Sequence, residues 1–276
     1  MSSAIVRTVS RAMERIAPLH LAEKWDNVGL LLEAPFQRSD ANRVLLTIDL
    51  TTAVTDEALA TPTAFIVSYH APIFKPVSRL TLDNKLQTSL LRCAAAGISV
   101  YTPHTALDTV EGGINDWLVE IVSDEKDRAE VTRANTDPSL LPCRKVTLKE
   151  AIGIKDLAMR IKRELGLQQI QVASPSEDVS IRTIAVCAGG GGSVLMGVDA
   201  DVYFTGEAQH HDILAAVANG RTMILCGHDN TERGYLPRLV RRLQMDLHND
   251  PEARSANGSE LHVGVSTADR HPLRLV

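Results

Sequence analysis

Three short segments carry the side chains that hold metals: Ser68-Tyr69-His70-Ala71-Pro72, then Thr102-Pro103-His104 with Asp108 four residues on, then Gly227-His228-Asp229-Asn230-Thr231-Glu232. Imidazole nitrogen and carboxylate oxygen, with no thiolate in any of the three, suit zinc, iron, manganese or nickel. If the chain turns helical after each histidine, His104 and Asp108 share one face, as do His228 and Glu232, because both pairs are spaced i, i+4. A divalent ion held there lowers the pKa of water, so hydrolysis is the chemistry to which these residue types point. Each segment alone has a plainer reading. His70 would be a hydrogen-bonded loop histidine, and Asp108 would satisfy backbone amides at the turn Glu111-Gly112-Gly113. What favours one shared site is that the same local pattern occurs three times.

The elements that must deliver these side chains are strands. Residues 64–68, 98–101 and 222–226 are apolar, β-rich runs that each end directly before a histidine segment. Strands alternate with helices at 52–60 and 85–96, which predicts a largely parallel sheet covered by helices. Open α/β sheets bind ligands beyond the carboxyl ends of their strands, so the three histidines are expected to converge in one crevice.

At 276 residues the chain suffices for about two domains of roughly 150 residues. Hydrophobic residues make up 44% and charged residues 23%, which excludes disordered and collagen-like classes. The net charge of −5 offers no general attraction to nucleic acid or anionic lipid, and no apolar run approaches the ~20 residues of a membrane span. The fold class read from this pattern is α/β, two interlinked domains with mainly parallel sheets. Residues 1–122 plus 222–276 are expected to form the metal-binding domain and 143–221 the second. The polar stretch 123–142, with Asp137-Pro138, reads as a linker. Residues 3–16 form an amphipathic helix whose Arg-rich, acid-poor start imitates a transit peptide; it is read as a structural first helix. The four cysteines contain no C-x-x-C pair and read as reduced core residues.

Other signals are weaker. Gly189–Gly192 lacks the Gly-Lys-Ser/Thr of a phosphate loop and reads as a tight turn, with an anion nest as the minority alternative. Thr205-Gly206-Glu207 with His210 and His211 reads as substrate-side or structural. Asp49 is expected to cap the helix at 52–60 rather than to support a ligand histidine. Trp25 and Asn27 read as packing and turn residues, and His20, His248, His262 and His271 as surface or satisfied histidines.

Taken together, Trp25-Asp-Asn-Val-Gly-Leu30, Ser68-Tyr-His-Ala-Pro-Ile-Phe74, His104-Thr-Ala-Leu-Asp108, Thr205-Gly-Glu-Ala-Gln-His-His211 and Gly227-His228…Glu232 occur in the order of a known family. Over nearly its whole length the chain resembles the GTP cyclohydrolase I type 2/Nif-three-like family. The resemblance implies a two-domain α/β protomer in a toroidal homohexamer, with one or two divalent ions per protomer. It implies His70, Asp108, His228 and Glu232 as metal ligands, Glu232 as the bridge between two ions, and catalytic roles for His104 and Glu232. One branch of the family carries an inserted mid-chain domain, for which residues 123–142 leave no room. Where many bacterial members have two adjacent histidines this chain has Tyr69-His70, as eukaryotic relatives do, and a neutral phenol is a poor ligand. The function expected is metal-dependent hydrolysis of a small substrate, nucleotides or other phosphate-bearing metabolites among them. The alternative is a metal-stabilised regulatory or protein-interaction scaffold without turnover. Expected partners are further copies of the chain, a small molecule and, in the second reading, a protein, but neither membrane nor nucleic acid directly. The expected compartment is the cytoplasm, with mitochondria or nucleus left open.

Overall fold

A computed structural model describes residues 3–134, 143–255 and 260–273. The chain divides into two compact units, Met1–Val110 with Tyr235–Val276, and Glu111–Gly234.

The first unit opens with α1 (Ala4–Ile16), capped by the Ser3 side chain and burying Ile5, Val9, Met13 and Ile16 at helical spacing, which makes it the structural helix expected. There follow β1 (Gly29–Leu32), β2 (Arg43–Thr47), α2 (Thr52–Ala60), β3 (Thr63–Ser68), α3 (Lys85–Ala95), β4 (Ser99–Thr102) and α4 (His104–Thr109). The second unit contains α5 (Ile114–Val122), β5 (Arg128–Arg133), β6 (Arg144–Gly153), α6 (Ile154–Leu165), β7 (Gln171–Ala173), β8 (Ser180–Val186), α7 (Gly192–Leu195), β9 (Val202–Thr205), α8 (His210–Ala218) and β10 (Thr222–Leu225). The chain then returns to the first unit with α9 (Leu236–Asn249), α10 (Pro251–Ser255) and β11 (His262–Val265).

The first sheet has strand order β1-β4-β3-β2-β11. Its last four strands are parallel, and β1 is an antiparallel edge on β4. Both faces are covered, which is why β2 and β3 read as unbroken apolar runs. Leu45, Ile66 and Val100 pack with Val54, Ala58, Leu90 and Cys93 of α2 and α3, while α1 lies against β3 and α9 against β2 and β11.

The second sheet, β5-β6-β8-β9-β10-β7, is mixed, with β8, β9 and β10 parallel and the outer pairings antiparallel. Two expectations change here. Of residues 222–226, expected as a strand of the first domain, 222–225 form β10, buried between β9 and β7 of the second sheet. The expected linker contains β5, whose exposed, charge-bearing residues pair only with β6; an edge strand needs no apolar period, which hid it from the sequence. Residues 135–142 of that linker lie outside the described residues. The units therefore change over at residues 110/111 and 234/235 rather than at 122, 143 and 222. Among the described residues no helix is long and apolar enough to cross a membrane.

All four cysteines are buried and unpaired by disulfides. Burial pushes the thiols of Cys93 and Cys143 up to about 11 and that of Cys226 up to about 12. Disulfide-exchange reagent at pH 8 is therefore expected to find no fast thiol in the native chain and four after unfolding in urea; a native thiol that reacts at the rate of a free peptide would contradict this packing.

Candidate metal and proton-transfer site

In the first unit the carboxyl ends of β2, β3 and β4 lie at one edge because these strands run parallel. Thr47 pairs with Ser68, and the ladder continues one step further through Tyr69 N–H to the Thr47 carbonyl and His70 N–H to the Ile48 carbonyl. Asp49 and His70 thus leave the sheet side by side, and His70 Nδ1 lies 3.0 Å from Asp49 Oδ1. The expected helix-capping role for Asp49 is not what the structure has. The cap of α2 is Thr51, whose hydroxyl accepts from Val54 N–H. Asp49 is instead the group that orients His70.

The same edge brings Tyr69 to Asp108. Both are nearly buried, and the phenol donates to Asp108 Oδ1 at 2.6 Å. Tyr69 stands where bacterial relatives are expected to have a histidine, and here its hydroxyl holds a ligand candidate. The helical turn expected after His104 is α4, which carries Asp108 on its last turn. The partner of His104, however, is Asp26, with His104 Nδ1 2.8 Å from Asp26 Oδ1. Sequence reasoning gave Asp26 no role. The signal lay in topology: β1 is antiparallel to β4 with Gly29 opposite Thr102, so the segment entering β1 passes the exit of β4.

Of its neighbours in that segment, Asn27 donates to the Ile73 carbonyl. Trp25 meets Phe74 edge to face and reaches His104. Both rings stay about half exposed, so Trp25 is not simply the packing residue expected.

The second unit repeats the device with different residues. Strands β9 and β10 pair in parallel with Thr205 opposite Leu225, so the segments leaving them are neighbours. Glu207 Oε1 meets His228 Nδ1 at 2.7 Å, and His228 Nε2 faces Glu232 Oε1 at 3.3 Å. Glu232 is buried and His228 half exposed. His210 and His211 are exposed at the start of α8, their rings 5.7 Å apart. The glycine run after β8 is not an anion nest. The amides of Ala188, Gly189, Gly191 and Gly192 are committed to Asn115, Thr231, Thr205 and Glu207. Its purpose is close approach: a Cβ on Gly189 would stand 2.5 Å from Glu232 Oε1 and 2.8 Å from His228 Nε2.

One expectation needs correcting. His70 and His104 follow strands of the first sheet and His228 follows one of the second, so the parallel order of a single sheet does not bring the three together. Within each unit the donors nonetheless suit a divalent ion. His70 and His228 each have Nδ1 against a carboxylate, the usual support of a ligand histidine.

A model of the Duf34/NIF3 (NGG1p interacting factor 3) family matches residues 4–257. The chain is 42% identical over 273 residues to Protein NIF3 homolog of Schizosaccharomyces pombe, covering 96% of each chain. It is 37% identical over 270 residues to NGG1-interacting factor 3 of Saccharomyces cerevisiae, covering 89% of this chain and 94% of that one. Its fold is similar to that of a Bacillus cereus protein related to NIF3, with a TM-score of 0.79 at 18% identity over 98% of each chain.

Gly189 has φ +59°, so alanine there meets both backbone strain and the two side chains just named, whereas a Cβ on Gly190 finds its nearest atom at 3.7 Å. Gly189→Ala is expected to lower stability by more than about 1–2 kcal/mol, and Gly190→Ala by less than half as much, measured as urea midpoints. Equal midpoints for the two variants would refute the close approach.

Proposed function

The chain belongs to the Duf34/NIF3 family, and from that premise we propose that it binds a divalent cation and hydrolyses a small substrate, with nucleotides and other phosphate-bearing metabolites the class to screen first. The observation that carries this reading is the paired support of two imidazoles, Asp49 on His70 and Glu207 on His228. Surface histidines have no need of a carboxylate at Nδ1, whereas ligand histidines usually have one.

The proposed ligands are His70 and Asp108 in the first unit and His228 and Glu232 in the second, the residues that the family resemblance implies. Zinc, iron, manganese and nickel are the ions such donors accept. When bound, the ion would supply Lewis acidity and a water of lowered pKa. The chain's own residues have separable tasks. Asp49 and Glu207 orient the two imidazoles through Nδ1, and the Tyr69 hydroxyl steadies Asp108. Glu232, buried beside His228, is the residue proposed to be shared if a second ion binds. His104 and Glu232 are the residues proposed to handle the proton of the attacking water.

A second reading, a protein-interaction scaffold whose metal stabilises a homohexamer, is favoured by one observation, the name NGG1-interacting factor 3 carried by the yeast relative. His70→Ala separates the two. Retained assembly with lost turnover supports the enzyme; lost assembly in a chain that turns over no substrate supports the scaffold.

Elemental analysis of chain purified without chelators is expected to find at least one divalent ion, lost in His70→Ala, Asp108→Asn, His228→Ala and Glu232→Gln. Tyr69→Phe keeps the ring and removes the donor to Asp108; its metal affinity by calorimetry is expected to fall about 10–100-fold. Metal content untouched by all four ligand substitutions would put the ion elsewhere and end this reading.

A further inference from the structure

Among the described residues only Asp40 and His104 hold a positive φ without being glycine. Aspartate tolerates that region; histidine there, at φ +25°, is strained, and something must hold it. What holds it is Asp26, whose side chain is wholly buried. One carboxylate oxygen faces His104 Nδ1 at 2.8 Å, and the other accepts from Thr105 N–H at 3.1 Å and Thr105 Oγ1 at 2.5 Å. Burial pushes this carboxyl up, but the hydrogen bonds it accepts from His104 and Thr105 help to outweigh that, so its pKa lies below the ordinary value.

An ionised carboxylate only accepts hydrogen bonds, so the proton between the two groups belongs on His104 Nδ1. The ring has little freedom to turn. Trp25, Tyr69, His70 and Phe74 stand around it with centroids 5.4–6.4 Å away, at interplanar angles of 77–80°.

We propose that Asp26 is the positioning residue of an Asp26–His104 dyad, fixing His104 as the Nδ1–H tautomer in a strained backbone so that Nε2 is the proton acceptor. This rests on the hydrolase reading for its chemistry, though not for its geometry. As a water oxygen bonds to the electrophilic atom of the substrate, the water proton passes to Nε2. The bond to the leaving group breaks with its electron pair, and Nε2–H returns the proton to that group. Asp26 stays ionised throughout.

The test reads the tautomer, not turnover. Solid-state 15N spectra of the full-length chain labelled at histidine, at pH 8 with and without added zinc, separate protonated from bare imidazole nitrogens, and loss of one ring in His104→Gln assigns the signal. Wild type is expected to show His104 with Nδ1 protonated and Nε2 bare. Asp26→Asn, folded by circular dichroism, is expected to lose that preference, and Thr105→Val, which removes one donor to Asp26 together with the acceptor of Glu23 N–H, to keep it. A bare Nδ1 in wild type overturns the dyad even if Asp26→Asn does not fold, and so does an unchanged tautomer in folded Asp26→Asn. On a substrate found by screening, Asp26→Asn should lower kcat about 10²-fold or more with KM little changed. Loss of turnover without a change of tautomer refutes the positioning role and leaves the hydrolase reading standing. The expected tautomers in a chain that turns over nothing support the positioning role and refute the hydrolase.

Discussion

When parallel strands pair in register, the residues beyond their last rungs emerge side by side, about 4.8 Å apart in the sheet direction. The rest of the candidate chemistry depends on this constraint. Thr47 lies opposite Ser68, so Asp49 leaves the first sheet next to His70; Thr205 lies opposite Leu225, so Glu207 leaves the second sheet next to His228. In each case the neighbouring strand delivers the carboxylate that turns the imidazole. A slip of one residue would turn every side chain of the strand to the other face, and the burial of β2, β3, β9 and β10 forbids it.

Space at these strand ends is managed by removing side chains as much as by adding them. Gly189 brings bare backbone against His228 and Glu232, and its carbonyl accepts from the Gly206 and Glu207 amides and the Thr205 hydroxyl. The glycine run thereby ties the exits of β8 and β9 together while its amides are answered from within the same unit. Four of the loop's amides are thereby committed, which is the opposite of what a phosphate cradle requires.

The three supported histidines are not equivalent. His70 and His228 sit at strand exits without a positive φ, each with a carboxylate at Nδ1. His104 begins a helix in a left-handed conformation, with aromatic rings around it and a carboxylate that also grips the next residue. Relaxed support suits a group that has only to point at an ion, while strain and enclosure suit a group whose tautomer must not change during a reaction. Tyr69 fits the same division: it donates to Asp108, a proposed ligand, and so positions it.

Local chemistry made much of this legible before any tertiary structure. Periodicity and caps marked α1, α2, α3, α6 and most buried strands, and the His70, His104 and His228 segments announced themselves because His and carboxylate at strand ends are unusual in combination. The sequence did not show which sheet a strand joins. Residues 222–225 are as apolar as any strand of the first unit, and only pairing with β9 and β7 assigns them to the second. Nor did it show partners far apart along the chain. Asp26 and His104 lie 78 residues apart, joined because β1 runs antiparallel to β4, and Asp49 looked like a helix cap until Thr51 filled that place. Composition and spacing act over one or two turns of chain and so determine which elements form and which side chains they offer; hydrogen-bonded register between distant strands decides which of those side chains meet.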